Sequence, residues 1–386
     1  MTADVHSRST ISVGSLFAPL DRGPVHLRNR LVMAPMTRRQ APGGVLGEAN
    51  AAYYRRRAES GVGLIISEGT WIDHPVASDA KDIPRFYGSD ALAGWQLVID
   101  EVHRAGGRIF PQIWHTGTRR PVASAGWNPE LLPIGPSGLA FVEPGATEPR
   151  QVSRPMTQAD IDQVIEAFAE AAARAHRIGA DGVEIHGAHG YLIDQFLWEK
   201  TNHRTDSYGG SPENRVRFAT EIVRECRRRT APDFPIGLRF SQWKAADYDA
   251  RIAHDPQELA RLLEPLADAG VDVFHCSTRR FWEPAFTGSD LSLAGWTKKL
   301  TGKITIGVGS VGLDQAHIAR PQEQVGGYTT KTVPLDRLVH LMEREEFDLI
   351  AVGRSLLVDH KWPEKVRDGA WEDITAYSSQ SRNVFY

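Results

Sequence analysis

The run His186-Gly187-Ala188-His189-Gly190-Tyr191 sets two imidazoles three residues apart and a phenol two residues beyond the second. Imidazole N–H groups from both histidines could converge on one carbonyl oxygen and stabilise negative charge developing there. A nearby tyrosine hydroxyl can give a proton to carbon as the resulting enolate collapses. The same spacing suits a metal-binding pair or two buried, hydrogen-bonded histidines, and spacing alone does not choose among the three. No carboxylate or third histidine is obviously placed to complete a metal shell, so no metal site is expected.

Two glycine turns suggest a place for an anion. Val308-Gly309-Ser310 and Val352-Gly353-Arg354 each end an apolar run. Glycine lets backbone N–H groups approach phosphoryl oxygens, a helix start adds a favourable dipole, and Arg354 supplies charge. Either glycine alone is a weak sign, because glycine is common where a strand turns into a helix. Together they read as a site for a phosphorylated cofactor or substrate. Gln112 and Arg239 close two further apolar runs. A side-chain amide matches the donor–acceptor edge of a flavin pyrimidine ring, and a fixed guanidinium would stabilise an anionic reduced flavin. Arg239 could equally be a salt-bridged arginine on a rim.

These residues lie where short apolar, β-branched runs stop. The strand candidates are Leu31–Ala34, Gly63–Ser67, Arg108–Ile113, Gly182–His186, Ile236–Phe240, Val271–Ser277, Ile304–Val308 and Asp348–Val352. Runs apolar at nearly every position indicate strands buried on both faces, as a parallel sheet covered by helices requires. Helical candidates lie between them: Ala49–Glu59, Ala91–Ala105, Thr157–Ile178, Pro212–Arg229 and Pro256–Ala269. Thr157 with Asp160 forms a capping-box-like pattern, Asp255 precedes Pro256, and Gly106, Gly179 and Gly270 mark helix ends.

Eight such repeats without a composition break predict an α/β fold, a (β/α)8 TIM barrel. It would form a single domain over residues 1–386, with a core near 16–369 and a terminal tail at 370–386. An open doubly wound sheet should carry a glycine-rich turn after its first strand, and Pro35-Met36-Thr37-Arg38 stands there instead. In such barrels the strand C-termini carry the chemistry, so the residues above would share one mouth. Thr118–Pro155, rich in Pro and Gly, is a long loop after strand 3 that should cover the site. Pro321–Lys331 reads as a surface insertion.

Bulk composition narrows the class. A chain of 386 residues, 41% apolar and 24% charged, is globular in composition. A net charge of −3 gives no electrostatic footprint for nucleic acid or an anionic membrane as partner. Arg55-Arg56-Arg57 and Arg227-Arg228-Arg229 read as solvated helix faces. Cys226 and Cys276 make neither a disulfide framework nor a cluster motif, which fits a reducing compartment. The opening MTADVHSRST has no apolar core of signal-peptide length, and no stretch approaches a membrane span. A soluble, cytoplasmic protein is expected. A homo-oligomer is compatible with the sequence, which does not specify its order.

Several runs resemble the Old Yellow Enzyme family of FMN-dependent ene-reductases. They are Leu27-Arg28-Asn29-Arg30-Leu31-Val32-Met33-Ala34-Pro35-Met36-Thr37-Arg38, Gln112-Ile113-Trp114-His115-Thr116-Gly117, Val183–Leu192, and Asp206-Ser207-Tyr208-Gly209-Gly210-Ser211-Pro212-Glu213-Asn214-Arg215. The resemblance runs from about Leu16 to Gly369. It implies a non-covalent FMN lined by Pro35, Met36 and Thr37, with the Thr37 hydroxyl near flavin O4. Gly69, Gln112 and His186 would contact the isoalloxazine, Arg239 its N1–O2 side, and Gly309, Ser310, Gly353 and Arg354 the phosphate. His186 and His189 resemble the family's substrate-carbonyl pair and Tyr191 its proton donor. His189 stands where many members carry asparagine, and Thr37 where another subgroup carries cysteine. Longer members add a four-cysteine cluster motif and a further flavin domain, for which this chain has neither the cysteines nor the length.

The expected reaction takes hydride from NADH or NADPH through flavin N5 to the β-carbon of an α,β-unsaturated carbonyl or nitroalkene, with Tyr191 protonating the α-carbon. Trp114 would shape the pocket floor. Phe281, Trp282 and Phe286 would form a substrate wall, or else simply pack locally. Rival readings are a flavin-free phosphate-binding aldolase or isomerase, a redox-sensing flavoprotein, and a redox-neutral or denitrating enzyme on the same barrel.

Overall fold

The computed structural model describes residues 12–121, 126–142, 146–318 and 327–385. Eight strands run in chain order around a closed, all-parallel barrel: β1 (Leu31–Met33), β2 (Leu64–Trp71), β3 (Arg108–Trp114), β4 (Val183–His189), β5 (Ile236–Lys244), β6 (Val273–Ser277), β7 (Ile304–Val308) and β8 (Leu349–Val352). Helices α1 (Glu48–Glu59), α2 (Ser89–Arg104), α3 (Gln158–Arg177), α4 (Pro212–Arg229), α5 (Pro256–Ala269), α6 (Leu293–Thr301), α7 (Asp336–Glu343) and α8 (Arg354–Val358) come after the strands in turn. This is the (β/α)8 barrel expected from the repeats.

Both strand faces are dry. Val32, Leu64, Ile66, Phe110, Val273, Ile306 and Leu349 form an inner cluster, while Leu31, Met33, Ile65, Ile109 and Phe274 pack outward against the helices. An antiparallel hairpin, Leu20–Arg22 with Val25–Leu27, adds Leu20, Val25 and Leu27 to the inner cluster and stoppers the end from which the strands start. The expected helix caps form: Thr157 accepts from the Asp160 N–H, Asp255 from the Glu258 N–H, and α5 ends on left-handed Gly270.

Three strands run further than their apolar runs. β2 continues to Trp71, β4 to His189 and β5 to Lys244. Ladder pairing persists there through polar residues, across irregularities between Ile66 and Gly69 and between Gly187 and His189. Bulges of this kind commonly re-aim side chains beside a site.

The long loop after β3 has its own anchors. Its described part contains a short ladder, Leu139–Ala140 with Arg150–Gln151. The Arg120 guanidinium gathers the carbonyls of Trp127, Asn128 and Leu131, and Trp127 packs edge-on against Trp71 at 5.7 Å.

Of the second interruption, residues 321–326 lie outside the described residues. The segment from Tyr328 to Thr330 is tied to the chain's end, through a bridge from Thr329 to Ser378 and a bond from Thr330 N–H to the Tyr377 carbonyl at 2.9 Å. The terminal segment therefore packs onto the barrel. Tyr377 is buried, Phe385 stacks on Tyr53 with centroids 4.6 Å apart, and Arg38 donates to the Val384 carbonyl at 2.6 Å.

Both cysteines are buried and free, and burial pushes each thiol up to about 12. Among the described residues no helix is long and apolar enough to cross a membrane.

Candidate active site

The inner face of the barrel is apolar near the strand starts and polar near the ends. Alternation places Gln112, Glu184, His186, Arg239, His275 and Ser277 on the same inward side as Phe110 and Val273. His186 and His275 are both ladder partners of Arg239, and Gln112 is the partner of Glu184. The polar ring thus belongs to β3, β4, β5 and β6.

His186 presents a fixed donor. Its Nδ1 accepts the Ala188 N–H at 3.2 Å, which leaves the ring proton on Nε2. That Nε2–H has no partner among the described residues. Burial, then the Arg239 charge, holds the pKa well below 6.5, so the ring is neutral.

His189 stands 5.3 Å from His186, ring edge to face, but its Nε2 is already engaged with Ser277 Oγ at 2.7 Å. A substrate oxygen must meet its Nδ1 or displace the serine. His189 is also held neutral, by burial first and then by Arg239.

Tyr191 lies edge-on to His186 at 4.9 Å and to Trp114 at 4.8 Å. Its hydroxyl has no hydrogen-bond partner among the described residues. Trp114 packs so closely over Gly69 that a Cβ there would lie 2.9 Å from the indole. Four expected residues, Trp114, His186, His189 and Tyr191, therefore form one aromatic cluster at the mouth.

The turn carrying His189 and Tyr191 is in a costly conformation. His189 has φ +64° and Gly190 φ +81°, and a side chain in the left-handed region costs roughly 1–2 kcal/mol. Three contacts hold it. The His189 N–H donates to Ser241 Oγ at 3.0 Å, the Gly190 N–H donates to Asp194 Oδ2 at 2.6 Å, and Lys244 Nζ donates to Asp194 Oδ1 at 2.7 Å.

A second region lies at the ends of β7 and β8. Gly309 has φ +139°, and a Cβ there would come within 2.6 Å of the Thr278 carbonyl, so only glycine fits. Ser310 comes next at φ +55°, and Arg354 Nη2 reaches its Oγ at 3.5 Å. Gly353 abuts Ala34 and Met36, which brings the end of β1 beside this region. α8 has only five residues, so its dipole adds less than a full helix would. Nη1 of Arg354 and Nε of Arg239 are buried without hydrogen-bond partners, and such orphans are costly unless a ligand meets them.

These donors fit FMN. A glycine turn, Ser310 and Arg354 suit a phosphate, while Gln112 and Arg239 offer an amide and a guanidinium to a planar heterocycle. Pro35, Met36 and the exposed Thr37 lie on the open segment after β1, beside Gly353.

Among the described residues Trp282 makes no ring contact with Trp114, His186, His189 or Tyr191. It packs on Phe281 at 4.9 Å and under the Arg337 guanidinium of α7 at 5.1 Å, while Phe286 meets Trp296 of α6. These are local packing contacts between the loop after β6 and the helical shell. His115 turns away too, its Nε2 meeting His74 Nδ1 at 3.0 Å.

Sequence reasoning missed Trp243, whose ring lies 4.6 Å from that of His189, and Ser277, Asp194, Lys244, Glu184 and His275. For Trp243 and Lys244 the available signal was the polar run Ser241-Gln242-Trp243-Lys244, just past Arg239-Phe240.

The model of the NADH:flavin oxidoreductase / NADH oxidase family matches residues 15–373. An NADH oxidase of Thermoanaerobacter brockii is 33% identical over 93% of this chain and 52% of its own length. A 12-oxophytodienoate reductase 7 of Oryza sativa subsp. japonica is 40% identical over 54% of each chain. The 12-oxophytodienoate reductase 2 of Arabidopsis thaliana is 34% identical over 74% of this chain and 80% of its own. The chain thus spans about half the length of the first two of these relatives. Among solved structures, morphinone reductase in complex with tetrahydroNAD superposes with a TM-score of 0.76 at 27% identity, covering 96% of this chain and 97% of that one.

Proposed function

The chain belongs to the NADH:flavin oxidoreductase / NADH oxidase family, and from that membership we propose that it is an FMN-dependent, NAD(P)H-consuming reductase of activated carbon–carbon double bonds. When bound, FMN would supply the redox chemistry, hydride transfer from NADH or NADPH to the β-carbon of an α,β-unsaturated carbonyl or nitroalkene. Gly309, Ser310, Gly353 and Arg354 would hold its phosphate, Gln112 and Arg239 its pyrimidine edge, and Pro35, Met36, Thr37 and Gly69 its remaining faces.

The observation that carries the substrate reading is the unfilled Nε2–H of His186 beside the unfilled hydroxyl of Tyr191. A neutral imidazole donor, fixed in its tautomer by Ala188, can stabilise charge growing on a carbonyl or nitro oxygen without reorganising. His189 adds a second donor through Nδ1, or through Nε2 on releasing Ser277. Tyr191, in contact with the His186 ring, would place its proton on the α-carbon. Trp114 and Trp243 supply apolar walls that exclude water from the reacting atoms. Relatives named for reducing 12-oxophytodienoate support an enone as the substrate class.

Purified protein should be yellow, release FMN on denaturation, and bleach anaerobically with NADH or NADPH. Adding an enone should restore the oxidised spectrum. Protein that is flavin-free and cannot be reconstituted with FMN would overturn the reading.

A further inference from the structure

Beneath the mouth, Gln112 ends a buried chain of three polar side chains, of which Glu184 and His275 have no role in the reaction above. Gln112 Nε2 donates to Glu184 Oε1 at 2.7 Å, and Glu184 Oε2 meets His275 Nδ1 at 2.8 Å. Glu184 is 1% exposed and His275 is wholly buried. They come from β3, β4 and β6, so three strands converge on one carboxylate. Arg239 sits in the same inner ring, opposite both His186 and His275 in the ladders. The Glu184 charge is the leading electrostatic influence on that guanidinium, opposing the burial that lowers it to about 10.

A carboxylate accepts and does not donate, so the Gln112 atom facing Glu184 must be its nitrogen. The amide cannot flip without setting oxygen against oxygen, so its Oε1 and its second N–H are presented to a ligand in one fixed order. Glu184 is also a negative charge near Arg239 in a site of low dielectric, where it offsets part of the positive field that Arg239 projects into the mouth.

We propose that Glu184, oriented by His275, is a positioning residue for the flavin site: it locks the Gln112 amide in that one order toward the ring, and its charge tempers Arg239 and thereby sets the reduction potential of bound FMN. This rests on the flavin reading above. His275 acts on Glu184 and touches no ligand. It holds the carboxylate's second oxygen, which would otherwise be a buried charge with one partner fewer.

The test is a redox titration of the reconstituted holoenzymes with an FMN-binding measurement alongside. Glu184→Gln removes the charge and allows the amide of Gln112 to flip. Reduced FMN should gain at least tenfold over oxidised FMN in relative affinity, a positive shift of about 30 mV for a two-electron couple. Oxidised FMN should bind several-fold more weakly. His275→Asn keeps a donor toward Glu184 and should stay near the wild-type potential, whereas His275→Leu should move in the same direction as Glu184→Gln. Failure of wild-type protein to bind FMN would remove the flavin reading itself. A wild type that binds FMN, with Glu184→Gln folded and unchanged or lower in potential, would overturn this inference alone. Equal shifts in His275→Asn and His275→Leu would show packing rather than orientation and would also overturn it. If Glu184→Gln does not fold, the His275 pair decides the matter.

Discussion

Lys244 Nζ and Asp194 Oδ1 meet at 2.7 Å with both side chains essentially shut off from solvent, at 1% and 0% exposure. The pair sits directly behind the turn that aims His189 and Tyr191. Lys244 also donates to the Ser241 carbonyl at 2.9 Å, and Asp194 accepts from the Gly190 N–H. A charge pair between β5 and the segment after β4 therefore braces a left-handed turn that would be unfavourable alone.

Removing one member should be costly because the other is left buried without its counter-charge. Lys244→Met is expected to lose roughly 3–5 kcal/mol of stability and to raise the enone KM. Lys244→Met combined with Asp194→Asn removes both charges while retaining an acceptor for Gly190, so it should recover most of the loss. Urea melts of the two variants decide this. A double variant no more stable than Lys244→Met would mean that the charge pair is not what braces the turn.

At the phosphate end, Gly309→Ala sets a Cβ against the Thr278 carbonyl in a backbone conformation that alanine rarely adopts. A strain of about 1–3 kcal/mol should appear as lowered Tm and weaker FMN retention. Riboflavin, which lacks the phosphate, should lose less affinity than FMN. Equal losses for the two flavins would place the phosphate elsewhere.

Burial holds His115, His186 and His189 well below their ordinary value of 6.5. A folded pKa below the unfolded one gives stability that is fully present above pH 6.5 and lost as pH falls. Each such histidine should cost up to about 1.4 kcal/mol per pH unit below that point. Tm should therefore drop progressively between pH 6.5 and 5, and less steeply in His186→Asn/His189→Asn. An identical slope in that variant would contradict the assignment.

Much of this was legible in the chain. Apolar runs located the strands because both of their faces are buried, and the β4 end announced itself through His186, His189 and Tyr191. The hidden part has a physical cause. Glu68-Gly69-Thr70 lies past the expected strand end at Ser67, yet the ladder continues through it because inward positions near the mouth are allowed to be polar. Glu184 and His275 sit singly inside apolar strands and reveal their role only when β3, β4 and β6 meet. Lys244 and Asp194 are 50 residues apart in the chain. The facing of Trp282 was not legible, since aromatic type does not tell which side of a loop it faces.

On the flavin side, Arg239→Ala removes a buried guanidinium whose Nε has no hydrogen-bond partner, and Gln112→Ala removes the amide on β3. Both variants should retain FMN less well or be reduced more slowly by NADH or NADPH. Unchanged flavin affinity, potential and reductive rate in both would move these residues away from the cofactor.

The central claim is that His186 and Tyr191 divide the work on an activated alkene, one receiving charge and the other giving the proton. Stopped-flow oxidation of pre-reduced Tyr191→Phe enzyme tests it most directly, with 2-cyclohexenone and a nitroalkene compared side by side. Flavin reduction by the nicotinamide should stay near wild type, because no proton from Tyr191 enters that step. The nitroalkene should still oxidise the flavin at nearly the normal rate, since its nitronate product is stable enough to leave unprotonated. Cyclohexenone should react far more slowly, while His186→Ala should impair both acceptors by on the order of a hundredfold. Equal losses for the two acceptors in Tyr191→Phe, or losses confined to flavin reduction, would contradict the account.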